Sequence, residues 1–150
     1  MNSELNFTLE EILPKFPKEF QEKIKHSVEL LRKAEKLALA YSPDEGFYLS
    51  FSMGKDSQCL YHIAKIAGVK FKAHMGLTSV DPPEVIKFGR EQYPDVDMIK
   101  PKISIYNQAR KEGVLPTILI RWCCRVYKEG IGAGNVVLIG IRHAESIQRS

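Results

Sequence analysis

Within six residues, Ser52 to Ser57, the chain sets two hydroxyls (Ser52, Ser57), one fixed cation (Lys55), one carboxylate (Asp56) and one residue without a side chain (Gly54). That set suits the binding of phosphate. Small residues let the backbone N–H groups approach an oxyanion, the hydroxyls add hydrogen bonds, and the lysine adds charge. The pattern is not a Walker A loop, which needs a glycine five residues before its Gly-Lys pair and Ser or Thr after it. Here those places hold Leu49 and Asp56.

The flanking sequence supplies elements to hold such a loop. Phe47 to Phe51 is a short apolar run, as a buried strand of a parallel sheet requires. After the loop, Leu60, Tyr61, Ile63, Ala64 and Ala67 recur at helical spacing over Gln58–Ala67. A strand, a tight loop and a helix N-terminus make an anion site, because the helix dipole favours negative charge there.

The remainder alternates in the same way. Thr8-Leu9-Glu10-Glu11 reads as a capping box for a short helix ending near Pro14. Pro17 opens a long helix to about Tyr41, with Phe20, Ile24, Val28, Leu31, Ala34, Ala38 and Tyr41 on one face, laid on the sheet. Strands are expected at Val69–Met75, Val96–Ile99 and Val136–Ile141. Helices are expected from Asp81, as cap, to Pro94, over Ser104–Glu112, and from about Ile120 to Glu129. Alternation of this kind predicts an α/β fold, a doubly wound parallel sheet with helices on both faces. Residues 1–45 are expected to form an N-terminal helical segment packed on the core, and 46–150 the α/β domain that carries the loop. Ligands of such sheets sit beyond the C-terminal strand ends at the switch point. That rule gathers the Ser52–Ser57 loop, Thr78-Ser79 and Arg142-His143 on one edge.

Composition narrows the setting. A 44% hydrophobic and 27% charged chain of 150 residues is a soluble globular domain with a modest core. No apolar run is long enough for a membrane helix and the N-terminus does not read as a secretory signal, so no membrane partner and a cytoplasmic location are expected. Cys59, Cys123 and Cys124 do not make a disulfide framework and suit a reducing compartment. Residues 101–150 hold eight Lys/Arg against three Asp/Glu, whereas residues 1–100 hold fourteen against fifteen. That bias fits either an anionic ligand or ordinary solvated surface. No dense basic block indicates nucleic acid.

Four stretches occur in order: Ser52-Met53-Gly54-Lys55-Asp56-Ser57, Thr78-Ser79-Val80-Asp81-Pro82-Pro83-Glu84, Arg121-Trp122-Cys123-Cys124 through Lys128, and Gly140-Ile141-Arg142-His143-Ala144-Glu145-Ser146 through Arg149. Together they resemble the phosphoadenosine phosphosulfate (PAPS) reductase family of the adenine-nucleotide α-hydrolase-like superfamily. That superfamily also holds the PP-loop, N-type ATP pyrophosphatases, and the likeness is greatest to short bacterial or phage-borne members. It covers about residues 46 to 150.

The resemblance implies a Rossmann-like fold of the HUP type. It implies that Ser52, Gly54, Lys55, Asp56 and Ser57 hold the phosphates of an adenine nucleotide, with Thr78 and Ser79 facing it. Asp56 assists a metal or fixes the loop, or simply caps the helix; Thr78 and Ser79 are otherwise loop caps. Gly140 admits the base or ribose, Arg142 and Arg149 meet phosphate or sulfate, and Glu145 and Ser146 order Arg142 or touch ligand. Glu145 could equally be a helix N-terminal acid. Lys55, Asp56 and Arg142 are the expected catalytic set.

The chemistry implied is an enzyme's, at the α-phosphate of ATP with Mg²⁺ and release of pyrophosphate, or on a sulfonucleotide. The alternatives are thiol-dependent reduction of PAPS or adenylyl sulfate, and a non-catalytic nucleotide-binding or assembly module. In adenylyl-sulfate reductases a similar cysteine pair and a later Cys-x-x-Cys hold a [4Fe–4S] cluster. Cys123 and Cys124 lack that second pair, so a complete cluster within one chain is not expected, and a cluster or metal shared between chains is left open. The reductases' Glu-Cys-Gly-like tail also has no match. A minimal or truncated member, a homodimer or a second chain completing the site is expected, and the acceptor substrate is left open. Met53 stands where the family's loop carries glycine; if the position takes positive φ, methionine costs roughly 1–2 kcal/mol there.

Overall fold

The structure, a computed structural model, describes residues 8–129 and 132–141. Strand β1 (Phe47–Ser50) is central, with Phe47, Tyr48 and Leu49 all buried, which is why the run reads as continuously apolar. β2 (Phe71–Gly76) pairs with it on one side and β4 (Val137–Leu138) on the other, while β3 (Asp97–Ile99) pairs with β2. The order is β3-β2-β1-β4 and every pair is parallel. This mixed α/β architecture, a four-stranded parallel sheet flanked by helices, is that of Rossmann-like folds.

Helices α1 (Leu9–Ile12) and α2 (Lys18–Tyr41) precede the sheet, α3 (Lys55–Ala67) joins β1 to β2, and α4 (Pro83–Gln92) joins β2 to β3. α5 (Ile105–Glu112) and α6 (Trp122–Cys124) follow β3, the latter running into a π-helical turn at Arg125–Glu129. Side chains alternate across the sheet. On one face Tyr61 of α3 sets its ring edge-on to Phe51 and Phe71 at centroid distances of 5.6 and 5.5 Å, and its hydroxyl donates to Asp95. α2 lies over α3, burying Ile24, Val28, Leu31 and Ala38, and Arg32 Nε donates to the Ala67 carbonyl at 2.9 Å. The predicted stripe is buried only along its middle, since Phe20 and Tyr41 remain exposed. On the other face Tyr48 and His74 stack, and the backbone of Gly132 passes so close that a Cβ there would meet the Tyr48 ring at 2.9 Å.

β1, β2 and β3 differ from expectation by one or two residues at an end, β2 starting at Phe71 rather than Val69, and four further differences bear on the loops and caps. α3 starts within the loop, at Lys55 rather than Gln58. Asp81 does not cap α4; its carboxylate turns back to accept the Thr78 N–H at 2.6 Å, and Pro82 takes the cap position. Ile120 is not helical, because Thr117–Ile120 closes as a turn: Thr117 N–H donates to the Ile120 carbonyl, and Ile120 N–H to Thr117 Oγ1, both at 3.0 Å. The indole of Trp122 then donates to the Val114 carbonyl at 3.1 Å and pins the base of that loop, leaving Ile118 and Leu119 exposed at its tip. β4 is shorter than predicted, for the chain bends after Ile139, where Ile141 N–H bonds the Ile139 carbonyl at 3.0 Å. No helix of the described residues is long and apolar enough to cross a membrane.

Candidate functional site

β1 lies where the strand order reverses, between β2 and β4, and the Ser52–Ser57 loop leaves its C-terminal end. Gly54, in extended conformation, is the N-cap of α3, so Lys55, Asp56 and Ser57 form the helix's first turn. First-turn N–H groups have no acceptor within the helix, and they face the end of the sheet together with the positive end of the dipole.

The loop is braced from within. Ser57 is buried; its hydroxyl donates to the Gly54 carbonyl at 2.9 Å and accepts the Ser52 N–H at 3.2 Å. Gln58 Nε2 donates to the Met53 carbonyl at 2.7 Å. The single Ser57 proton is thereby used inside the loop. The Ser52 hydroxyl, exposed and 3.2 Å from Ser57 Oγ, is the one able to turn to a ligand. Lys55 is exposed and Asp56 half-buried.

Met53 adopts φ +59°, the left-handed conformation that a glycine would take without cost. Its side chain is nevertheless buried, against Gly89 of α4. The methionine that takes up this strained backbone therefore also fills the space between the loop and α4.

Thr78 and Ser79 part company. Thr78 lines a cleft of about 130 Å³ that also takes in Ser52, Ser50, Tyr48, His74 and Asp81. Ser79, at φ +69°, accepts the Ile105 N–H on its hydroxyl at 3.0 Å and so anchors the start of α5. Gly140 sits against the first turn of α3, where a Cβ would come 2.9 Å from the Asp56 carbonyl oxygen. Its missing side chain thus lets β4's end approach the loop helix. Cys123 and Cys124 are half-buried in α6, with Arg121 Nη2 3.7 Å from Cys124 Sγ. Arg142, Glu145, Ser146 and Arg149 lie outside the described residues.

Three aromatic or imidazole groups that the sequence reading did not mark as site residues line the cleft: Tyr48, His74 and Tyr127. The Tyr48 and His74 rings stack at 4.2 Å with 6° between their planes. The Tyr48 hydroxyl and both His74 nitrogens are buried without a hydrogen bond; the nearest carboxylates to His74 are Asp97 at 3.6 Å from Nδ1 and Glu45 at 3.9 Å from Nε2. Burial lowers the His74 pKa against the upward pull of Asp97 and Glu45, and burial raises that of Tyr48. Burial, with the Cys123 thiol nearby, also raises the Tyr127 pKa. A histidine and a tyrosine at alternate strand positions give no signal beyond strand periodicity; only the pairing of β1 with β2, Ser50 opposite His74, brings them together.

A larger groove, about 1020 Å³, runs between α1, α2 and α3, lined by Leu9, Phe16, Phe20 and Ile63. None of the expected site residues borders it. Among the described residues no three His, Cys, Asp or Glu side chains converge as a metal-binding group.

Comparison with models of protein families, with curated proteins and with solved structures finds no match to this chain.

Proposed function

We propose that the chain is an adenine-nucleotide-binding enzyme domain with a HUP-type, PAPS-reductase-like site, acting at the α-phosphate of ATP. The observation that carries this reading is the position of the Ser52–Ser57 loop, at the C-terminal end of β1 beside the strand-order reversal, running directly into the first turn of α3. The nucleotide's phosphates lie over that turn, with the Ser52 hydroxyl and the Lys55 ammonium as side-chain partners. In the reaction an acceptor's lone pair forms a bond to the α-phosphorus, the bond from that phosphorus to the pyrophosphate oxygen breaks, and the acceptor's proton goes to water. The products are the adenylylated acceptor and pyrophosphate. The protein's contribution is positioning and stabilisation of developing negative charge.

Mg²⁺ fits the residues present. It is usually held by one or two carboxylates together with substrate phosphates, and Asp56, half-buried in the first turn of α3, would supply one. When bound it neutralises pyrophosphate charge. A cytoplasmic setting goes with this reading.

The test is isothermal titration of ATP, PAPS and adenylyl sulfate into the wild-type protein and Lys55→Ala, with and without Mg²⁺. Mg²⁺-dependent ATP binding, weakened about 10-fold or more by Lys55→Ala, supports the assignment, as loss of a charge-assisted contact of roughly 1.5–3 kcal/mol requires. Tighter binding of the sulfonucleotides overturns it in favour of thiol-dependent reduction, the second reading. One observation favours that alternative: the Cys123 thiol lies near Tyr127, which lines the cleft. Absence of binding to all three ligands leaves a non-catalytic module.

A further inference from the structure

The cleft beside the phosphate loop differs in character from the loop itself. Among the described residues no lysine or arginine lines it, and Asp81 is its one carboxylate. Behind His74 stand two further carboxylates, Asp97 and Glu45, one toward each ring nitrogen, with Lys72 paired to Glu45 at 2.8 Å. Among the described residues, a sulfate or phosphate in this cleft would meet that negative field without a cation in the lining. At about 130 Å³ the cleft is also too small for a nucleoside, whose sites run to roughly 300 Å³ or more. Its wall holds one group that only accepts, the Asp81 carboxylate, beside hydroxyls that accept or donate: those of Ser50, Ser52 and Thr78, and a buried Tyr48 hydroxyl without a hydrogen bond among the described residues. Such a wall recognises a small group that donates hydrogen bonds and carries no negative charge.

We propose that this cleft is the acceptor subsite, and that the acceptor lays an N–H-bearing group, an amine or an amide, beside the phosphate loop at Ser52, the attacking lone pair being that of the unprotonated amine nitrogen or of the amide oxygen, with an N–H proton lost to water. This rests on the reading of the loop as a nucleotide-phosphate site and adds the chemical class of its second substrate. Tyr48 and His74 act as positioning residues, forming the flat wall against which the nitrogen-bearing group lies. Ser52 belongs to both halves of the site, since it follows β1 into the loop and lines the cleft.

The experiment needs no nucleotide. Ring signals of His74, assigned with His74→Gln, are followed by NMR at pH 7.5 and constant ionic strength during titration with methylammonium, acetamide and sulfate. The expected result is saturable shifts with methylammonium or acetamide, at about millimolar affinity for so few atoms, at least tenfold tighter than sulfate. Tyr48→Phe should weaken the favoured probe several-fold with the remaining spectrum unchanged. Asp81→Asn provides a second variant if Tyr48→Phe does not fold. Sulfate binding as tightly as the nitrogen probes, or no shift with any probe as for a cleft holding only water, overturns the proposal. The backbone amide of Gly54, followed with ATP and Mg²⁺ in the same samples, reports the phosphate loop separately. Shifts there with none at His74 retain the nucleotide reading and reject the subsite. The converse retains a nitrogen-binding cleft and rejects the nucleotide reading.

Discussion

The side chain of Met53 fills the space that a side chain on Gly89 would occupy: a Cβ at Gly89 would come 2.1 Å from Met53 Cε and 2.7 Å from Met98 Cε. The Ser52–Ser57 loop is thus keyed into α4 by a residue whose own backbone is left-handed. Two effects oppose each other at position 89. Alanine in the helix gains about 1 kcal/mol of propensity over glycine, while overpacking costs about 1–3 kcal/mol. Flexible methionine ends put the cost at the lower end of that range. Gly89→Ala should therefore be close to neutral alone and clearly stabilising in a Met53→Ala background, with a coupling of at least about 0.5 kcal/mol in a urea double-mutant cycle. Strict additivity would show that the two residues do not share this space.

Ser57→Ala removes both the donor to the Gly54 carbonyl and the acceptor of the Ser52 N–H, at a buried position. The expected loss is about 1–3 kcal/mol of stability, because partners are left behind. Chemical denaturation measures it. If loss of ATP binding were the sole effect and stability were unchanged, Ser57 would be a ligand contact rather than a brace.

His74 makes stability depend on pH in a definite direction. Its folded-state pKa lies below the ordinary value, so the unfolded chain binds the proton more readily. Stability is therefore unaffected by this group above its unfolded pKa and falls as the pH drops through about 6.5 toward the folded pKa. The groups around it are Asp97, Glu45, Lys72 and Tyr48. His62, whose pKa burial and Lys65 also lower, contributes in the same sense. Urea midpoints at pH 7.5 and 5.5 should show a smaller difference in His74→Gln than in His62→Gln or wild type, if the more deeply buried ring dominates. An unchanged difference in His74→Gln would refute the assignment.

Trp122→Phe keeps a buried ring but loses the indole donor to the Val114 carbonyl. About 1 kcal/mol of stability should go with it. The loop from 114 to 122, freed at its base, should be cut faster after Leu119 by chymotrypsin. Equal cleavage rates would mean that the Thr117–Ile120 turn alone shapes the loop.

How much of this was legible in the sequence depended on the range of the forces involved. The Ser104 cap and the left-handed glycines 68 and 113 at helix ends are set by neighbouring residues, and they stand where turn chemistry places them. The Ser52–Ser57 loop between β1 and α3 is equally local. Asp81 was misread because two local partners compete for it: a cap on α4 and the Thr78 N–H, and the latter wins. The loop that carries the Thr117–Ile120 turn is pinned at its base by a contact from Trp122 to Val114, which no periodicity encodes. The meeting of Tyr48 with His74, and of Met53 with Gly89, requires the register of two strands and the seating of a helix. Both are properties of the assembled sheet.

The pairing of β1 with its two neighbours carries a consequence for how the site comes together. Phe47 gives its N–H to Lys70, a partner close in sequence, whereas the next residue, Tyr48, gives its N–H to Val136, across most of the chain. Closing that second contact confines a much longer stretch of chain, and the two paired residues of β4 give little in return. Adjacent amides of one strand therefore report different events. Tyr48 should exchange its hydrogen whenever β4 frays, and Phe47 only when the β1–β2 pair itself opens. The switch point then exists only while its last and weakest strand is docked, so a ligand that spans loop and strand end would also act as the clasp that holds the sheet closed.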